Sequence, residues 1–260
     1  MIGLMRSELR KVITLRFWWI LALVPIVLGA MSGAVTLPII RAIDEAFGEG
    51  SDSGVANSIA TLFGVVIALY FVLVFAAIFA GVNVGNEFRY GTITPSFTTT
   101  SSRDRLVAAK LAVTSVFGVG YCLVVVLVSS ALLLMFSSEA DAAATWPGLL
   151  GSGLLAALAW TVIGTGIGLL TRSTVATTII VVVWCTFGEF FTAGFLSVMG
   201  ATGIGNYLPV MSTIATVGNA ATVNGIDGLP MWPLAPLILL GWTVAILAGG
   251  WFLTRTRDVS

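Results

Sequence analysis

Long apolar stretches separated by short polar segments run through the whole chain. Six of them are long enough to cross a hydrocarbon core of about 30 Å, which takes about 20 helical residues. Their polarity does not alternate, as it would in the strands of a β-barrel. Because backbone N–H and C=O groups in a bilayer need partners within the protein, each apolar stretch is expected to be a helix, which satisfies them internally. The pattern predicts an all-α membrane protein with transmembrane helices at about 17–37, 58–84, 106–136, 148–170, 174–199 and 232–253.

Composition supports a membrane protein and excludes several kinds of site. Of the 260 residues, 58% are hydrophobic and 9% are charged, whereas about a quarter of the residues of a soluble domain are charged. The chain has no histidine, and its two cysteines, Cys122 and Cys185, lie inside apolar stretches. We therefore expect neither a disulfide framework nor a metal site.

The segment 1–16 alternates on a helical period before the first span, with Met5, Leu9 and Val12 on one side and Arg6 and Arg10 on the other. This pattern favours an amphipathic elbow helix in the headgroup region, and the alternative is a basic flank that only sets orientation. The stretch that follows is too long for a cleaved signal peptide, so we interpret it as a retained span.

The distribution of basic residues predicts the orientation, because cytoplasmic segments hold the excess of Lys and Arg. The N-terminal segment, the polar segment 85–105 with Lys110 shortly after it, the turn 171–173 and the tail 254–260 together hold every Lys and Arg except Arg41. We expect a transmembrane domain at 17–253. The N-terminal segment before it and the C-terminal tail after it are both expected to lie in the cytosol. Lys110, in the first turns of the third span, is expected to snorkel to the interface.

The linker 200–231 is nearly free of charge, with Asp227 as its single charged residue, and is interrupted by Gly, Asn and Pro. It is too apolar for an ordinary exposed loop and too interrupted for a span. We expect one or two short interfacial or re-entrant helices on the outer side, and the alternative is a disordered loop.

The sequence offers little for catalysis. It contains no phosphate-binding G-x-x-x-x-G-K-[ST] loop and no histidine base, so we expect a chain that is not itself an enzyme and carries no cofactor or metal. Glu189 is the single carboxylate inside the predicted spans. It could contact a proton or a cationic substrate, or it could stabilise the outer linker through hydrogen bonds. We find no internal repeat of the kind that secondary transporters tend to show.

The polar segment 85–105 contains the more specific signal. It includes Glu87 followed by Gly91 and Thr92, then Arg103, and Lys110 at the entrance of the third span. This order resembles the first cytoplasmic loop of ABC-2 permeases of ATP-binding-cassette transporters, with Ser101 where a Pro is common. The resemblance extends to the elbow, the six spans, the short turn 171–173 and the long outer linker.

The resemblance implies a cytosolic coupling helix in the 85–105 loop that contacts two copies of an ABC ATPase, which would bind ATP and Mg²⁺. It also implies a second permease copy or paralogue, a bacterial cytoplasmic membrane, contact with membrane lipid, and no nucleic acid. The implied function is export of an amphipathic or hydrophobic compound; the alternative is an ion-coupled carrier or a structural assembly factor. The residues assigned to coupling are Glu87, Phe88, Arg89, Tyr90, Gly91, Thr92, Arg103 and Arg172.

Overall fold

A computed structural model describes residues 2–47, 51–92, 102–136, 146–201, 203–221 and 228–256. These residues form helices and the turns between them. The helices are α1 (Ile2–Thr14), α2 (Phe17–Phe47), α3 (Ser51–Arg89), α4 (Arg103–Phe136), α5 (Trp146–Thr171), α6 (Thr174–Val183), α7 (Glu189–Val198), α8 (Pro209–Ala221) and α9 (Leu234–Thr256). A π-helical turn, Trp184–Gly188, joins α6 to α7, and a 3-10 turn, Ile204–Tyr207, precedes α8.

Within this part of the chain, five helical segments are long and apolar enough to cross a membrane, and a sixth is counted if α1 and Phe17–Ser32 are taken together. The predicted fold class, an all-α membrane protein, is confirmed. The axes of α1 and Phe17–Ser32 meet at 68°, and Arg16 at the corner adopts a left-handed backbone conformation with φ 55°. The segment before the first long helix is therefore a separate helix set at a steep angle, which we call the elbow.

Several predicted limits differ from the observed helices. Helix α2 continues past residue 37 to Phe47, and α3 begins at Ser51 rather than near residue 58. The linker 200–231 contains the 3-10 turn and the 13-residue helix α8. The predicted coupling helix belongs to the loop 85–105, of which residues 93–101 lie outside the described residues.

Helices α3 and α5 form the centre of the bundle, since 72% and 67% of their most apolar stretches are buried within the protein. Hydrophobic burial does not drive helices together in lipid, so contact depends on small residues that let backbones approach. Gly164 and Gly168 supply such a surface on α5. A methyl group built on Gly168 would lie 2.9 Å from the Gly81 carbonyl oxygen of α3.

An aromatic cluster fixes the beginning of α2 against this centre. Phe79 of α3, which is fully buried, stacks on Phe17 at 5.5 Å and contacts Phe117 and Tyr121 of α4 at 5.3 and 5.4 Å between ring centroids. The Tyr121 hydroxyl donates a 2.5 Å hydrogen bond to the carbonyl oxygen of Trp18. These contacts place the elbow beside the end of α3 and the beginning of α4, which we call the elbow end of the bundle.

Candidate functional site

Four charged side chains from three helices meet at the elbow end and form what we call the ionic cluster: Glu8, Lys11, Glu87 and Lys110. The two oxygens of Glu8 lie 2.5 Å from Lys11 Nζ and 2.8 Å from Lys110 Nζ. Glu87 Oε1 lies 3.0 Å from both ammonium groups. Each carboxylate therefore faces two lysines and each lysine faces two carboxylates, so the cluster is electrically neutral and ties α1, α3 and α4 together.

The cluster is largely shielded from solvent. The exposed fractions of Glu8, Glu87 and Lys110 are 1%, 7% and 5%, and Lys11 is half-buried. Burial raises the pKa of the Glu8 carboxyl, but the charge of Lys110 and the hydrogen bonds from Lys11 and Lys110 outweigh it and hold the pKa below its ordinary value. Burial lowers the pKa of Lys11, yet hydrogen bonds and charges from Glu8 and Glu87 raise it overall. Glu8 and Lys11 are therefore both charged at neutral pH.

Two residues of the cluster differ from the expectations drawn from the sequence. The prediction that Lys110 snorkels to the interface is wrong: its ammonium group is buried between Glu8 and Glu87 because those carboxylates replace its hydration. Glu8 was missed altogether, although it is the most buried member of the cluster. Its signal in the sequence is a lone acid in a basic helix, four residues before the buried Val12 and so on the same helical face.

The end of α3 beside the cluster is a glycine-terminated cap. Gly91 has φ +64°, its N–H donates to the Phe88 carbonyl oxygen, and the N–H of Thr92 donates to the Glu87 carbonyl oxygen. This pair of bonds is the Schellman arrangement, which requires the left-handed conformation that glycine adopts without strain. Gly91 is thus the residue at which the helix ends, as the sequence suggests, and the chain leaves α3 within one turn of Glu87.

The structure separates the residues assigned to coupling into two groups. Glu87 and Phe88 face inward, whereas the four that follow are exposed. Arg103 is the first residue of α4, and its side chain lies outside the described part of the structure. The exposed group, which we call the α3 tip, consists of Arg89, Tyr90, Gly91 and Thr92.

Arg172 joins the inward group from the turn between α5 and α6. Its guanidinium carbon lies 5.3 Å from the centre of the Phe88 ring, a cation–π contact, and its backbone has φ 54°. The turn fits closely against α3, since a methyl group built on Gly85 would lie 2.7 Å from the Thr174 nitrogen. Three sequence-predicted residues, Glu87, Phe88 and Arg172, are therefore neighbours at the elbow end.

A second contact links α4 to α9 at the same end. Asp104 accepts hydrogen bonds from Trp251 Nε1 at 3.1 Å and from Arg255 Nε at 3.2 Å, and the Arg255 guanidinium also pairs with its second oxygen. Arg255 stacks on the Trp251 ring at 4.1 Å. Both charged side chains are about half exposed, so we expect this pair to contribute less to stability than the buried cluster.

Glu189 lies far from the cluster, in the half of the bundle opposite the elbow. Its side chain is buried, and its carboxylate accepts hydrogen bonds from the backbone N–H groups of Val210 at 2.8 Å and Met211 at 2.5 Å. These N–H groups belong to the first turn of α8, where an anion also interacts favourably with the helix dipole. The geometry is that of a carboxylate cap holding α8 against α7.

Replacing Glu189 with Gln should therefore lower stability. An amide can accept one of the two N–H bonds but presents its own N–H₂ to the other donor, which leaves a buried donor without a partner, at a cost of about 1–3 kcal/mol. We expect a lower melting temperature in detergent and no specific loss of proton flux into proteoliposomes. Glu45→Gln, at an exposed position on α2, is the matched control. An unchanged melting temperature with lost proton flux would favour the ion-coupled carrier instead.

Comparison with known proteins assigns the chain to a family. A family model described as "ABC-2 family transporter protein" matches residues 4–188, which include the elbow, the ionic cluster, the α3 tip and the Arg172 turn. No curated protein matched the chain in a sequence search. The matched range covers well over half of the 260 residues. The chain therefore belongs to the ABC-2 family of transporter proteins and is a permease of the ATP-binding-cassette class.

Proposed function

We propose that this permease exports an amphipathic or hydrophobic compound across a bacterial cytoplasmic membrane, with both termini and the elbow end in the cytosol. In this proposal two copies of a separate ABC ATPase bind ATP and Mg²⁺, and two permease chains, either identical or paralogous, form the path. The α3 tip is the part of the described chain that contacts the ATPase. The coupling helix of this proposal belongs to the loop 85–105, which begins with the end of α3 and includes the tip.

The observation that carries the proposal is the position of the exposed α3 tip directly after buried Glu87. Arg89 and Tyr90 present a cation and an aromatic ring to solvent, and these residue types are enriched at energetically important positions of protein interfaces. Their nearest inward neighbour, Glu87, is bonded to Lys11 of the elbow and Lys110 of α4. A displacement of the tip by the ATPase would thus be transmitted to α1 and α4 together, because the buried cluster resists separation.

The same proposal assigns a supporting role to Arg172. The turn that carries it touches Phe88 and fits against Gly85, so the α5–α6 connection moves with the end of α3. The contact adds α5 and α6 to the helices that the tip controls. Four helices besides α3 are then tied, directly or through a turn, to one short exposed segment.

The test is capture of the partner from membranes. A tagged chain should copurify with a protein that carries the nucleotide-binding motif this sequence lacks, and the complex should hydrolyse ATP faster than the ATPase alone. The double variant Arg89→Ala/Tyr90→Ala should reduce capture about tenfold or more, since loss of one interface hot spot costs about 2 kcal/mol or more. Its melting temperature should be unchanged, because both side chains are exposed.

A matched pair of substitutions provides the control. Arg10 on the elbow and Tyr207 at the opposite end are also exposed, so Arg10→Ala/Tyr207→Ala removes the same side-chain types elsewhere. It should leave capture and ATPase stimulation unchanged. Absence of any nucleotide-binding protein from the purified wild-type sample would contradict the proposed function. Equal capture by the tip variant and the control would contradict the assignment of the tip.

A further inference from the structure

A cavity of about 360 Å³ lies in the half of the bundle opposite the elbow, between α3, α5, the π turn and α8. Its position is set by α8, which Glu189 holds against α7. The cavity is more than twice the size of an engineered 150 Å³ void that is known to stay dry and bind benzene. Its wall consists mainly of apolar side chains and includes Tyr70 and Val74 of α3, Trp160 of α5, Cys185 of the π turn, and Thr213 and Val217 of α8.

The polar groups of this wall are bonded to one another. The Tyr70 hydroxyl donates to the Cys185 carbonyl oxygen at 2.8 Å, and Trp160 Nε1 donates to Thr213 Oγ1 at 2.9 Å. The Thr213 hydroxyl in turn donates to the Pro209 carbonyl oxygen at 2.7 Å. The side chains therefore present carbon to the cavity, and an occupant needs no polar group to satisfy them.

The same geometry makes water an unfavourable occupant. Buried water requires two to four polar partners, and a roomy cavity with an apolar wall does not supply them. The cavity also departs from ordinary close packing, because well-packed interiors hold few voids larger than a water molecule. The cavity consequently has space for an apolar group several carbons in size.

The π turn shapes one side of the cavity. Cys185 lies in Trp184–Gly188, where the helix widens between α6 and α7, and its carbonyl oxygen receives the Tyr70 hydroxyl. Such turns interrupt a regular helix at some cost and often accompany functional sites. The hydrogen bond to this turn fixes the Tyr70 ring at the cavity wall.

We propose that this cavity binds one hydrocarbon chain, contributed by a membrane lipid or by an amphipathic molecule in the leaflet opposite the elbow. In a bilayer, linear hydrocarbon is the abundant apolar group at this depth, and a wall without free polar groups selects for it over headgroups. The site is formed by a single chain and needs neither ATP nor a partner. Its occupation is therefore independent of the proposed coupling to an ATPase.

The test uses the purified permease and a photoactivatable diazirine in the alkyl chain, with labelled peptides identified by mass spectrometry. One arm uses a diazirine fatty acid with the protein in detergent, and the other a diazirine phospholipid with the protein in nanodiscs. We expect labelling on the peptides that carry 67–74 and 210–217, with competition by unlabelled fatty acid. Labelling in both arms indicates a site indifferent to the headgroup, and labelling in one arm identifies the source of the chain.

Variants that fill the cavity make the test specific. Val74→Phe and Val217→Phe each place a ring in the space, and labelling should fall about tenfold or more, because each excluded methylene weakens binding by about fourfold. Val182→Phe is the matched control, since Val182 is 41% exposed on α6 and does not line the cavity. Because the two variants are made separately, the test can still be done with one of them if the other does not fold.

Two outcomes would overturn the proposal. One is labelling spread evenly over the lipid-exposed helices, without enrichment at the cavity peptides in either arm. The other is an undiminished label in both folded Phe variants together with a raised melting temperature, which is the behaviour of an empty void that a ring simply fills.

Discussion

Replacing Lys110 with Met should lower the stability of the folded protein by about 3–5 kcal/mol, the usual cost of removing one partner from a buried ion pair. Met fills much of the same volume, so the loss is mainly electrostatic. Two carboxylates, Glu8 and Glu87, would then share the single ammonium of Lys11, and Glu8 Oε2 would lose its 2.8 Å partner. The measurement is the melting temperature in detergent, with an expected decrease on the order of 10 °C.

A second substitution that restores neutrality should recover much of this loss. In Glu8→Gln/Lys110→Met, the remaining charges are Lys11 and Glu87, which already lie 3.0 Å apart. The double variant should be more stable than Lys110→Met alone, which is the non-additivity that a directly coupled pair produces. Arg10→Met, at an exposed position of the same elbow helix, should change stability by less than about 0.5 kcal/mol. Strictly additive losses would show that the cluster is not coupled as described.

The hydrophobic pattern was sufficient to predict the fold class because each span satisfies its backbone bonds within itself. A window of local sequence therefore contains the whole signal for a membrane helix. The same holds for the end of α3: Gly91 needs only its own conformational freedom and the carbonyl groups of the preceding turn. The short α5–α6 turn at 172–173 was likewise visible as the single interruption between two apolar stretches.

The ionic cluster was not predicted because its members are remote in sequence and chosen by packing. Lys110 pairs with Glu8 across 102 positions, and Lys11 pairs with Glu87 across 76. A charge near the end of a span is equally compatible with an interface, with a partner protein or with a buried pair. The elbow pattern also concealed Glu8, since a helix at a water–lipid boundary can carry an acid on its polar side without consequence. The angle between elbow and bundle turns that acid inward, and this angle is a tertiary property.

Glu189 lies between these two cases, since its sequence position indicated a role but not its partners. Its unusual position inside a span identified it as a residue with a specific role, and a hydrogen-bonded role near the outer linker was one of two interpretations. Its partners, the N–H groups of Val210 and Met211, could not be named, because they depend on how α8 folds back against α7. A local signal can therefore indicate that a buried charge has partners, while the identity of the partners depends on the path of an irregular linker.

The central contact of the bundle depends on a position without a side chain. A methyl group on Gly164 would lie 2.7 Å from both the Cα and the carbonyl carbon of Ala77 and nearer still to its carbonyl oxygen. All three atoms belong to the backbone of α3, so no rotamer change can make room. The two helices would have to separate, which would also loosen the neighbouring contact between Gly168 and Gly81.

Gly164→Ala should consequently destabilise the protein by about 3 kcal/mol, the upper part of the usual range for overpacking, even though alanine favours the helical backbone. Gly151→Ala on the same helix is the matched control. A methyl group there meets nothing within 4 Å, so the stability should stay the same or increase by up to about 1 kcal/mol, the difference in helix propensity between Gly and Ala. The melting temperature should accordingly stay the same or rise. Adding Ala77→Gly to Gly164→Ala should not restore stability, because the obstacle is the backbone of residue 77 and not its side chain. If Gly164→Ala proved as stable as Gly151→Ala, α3 and α5 would have to be farther apart than described here, and the central contact would need another explanation.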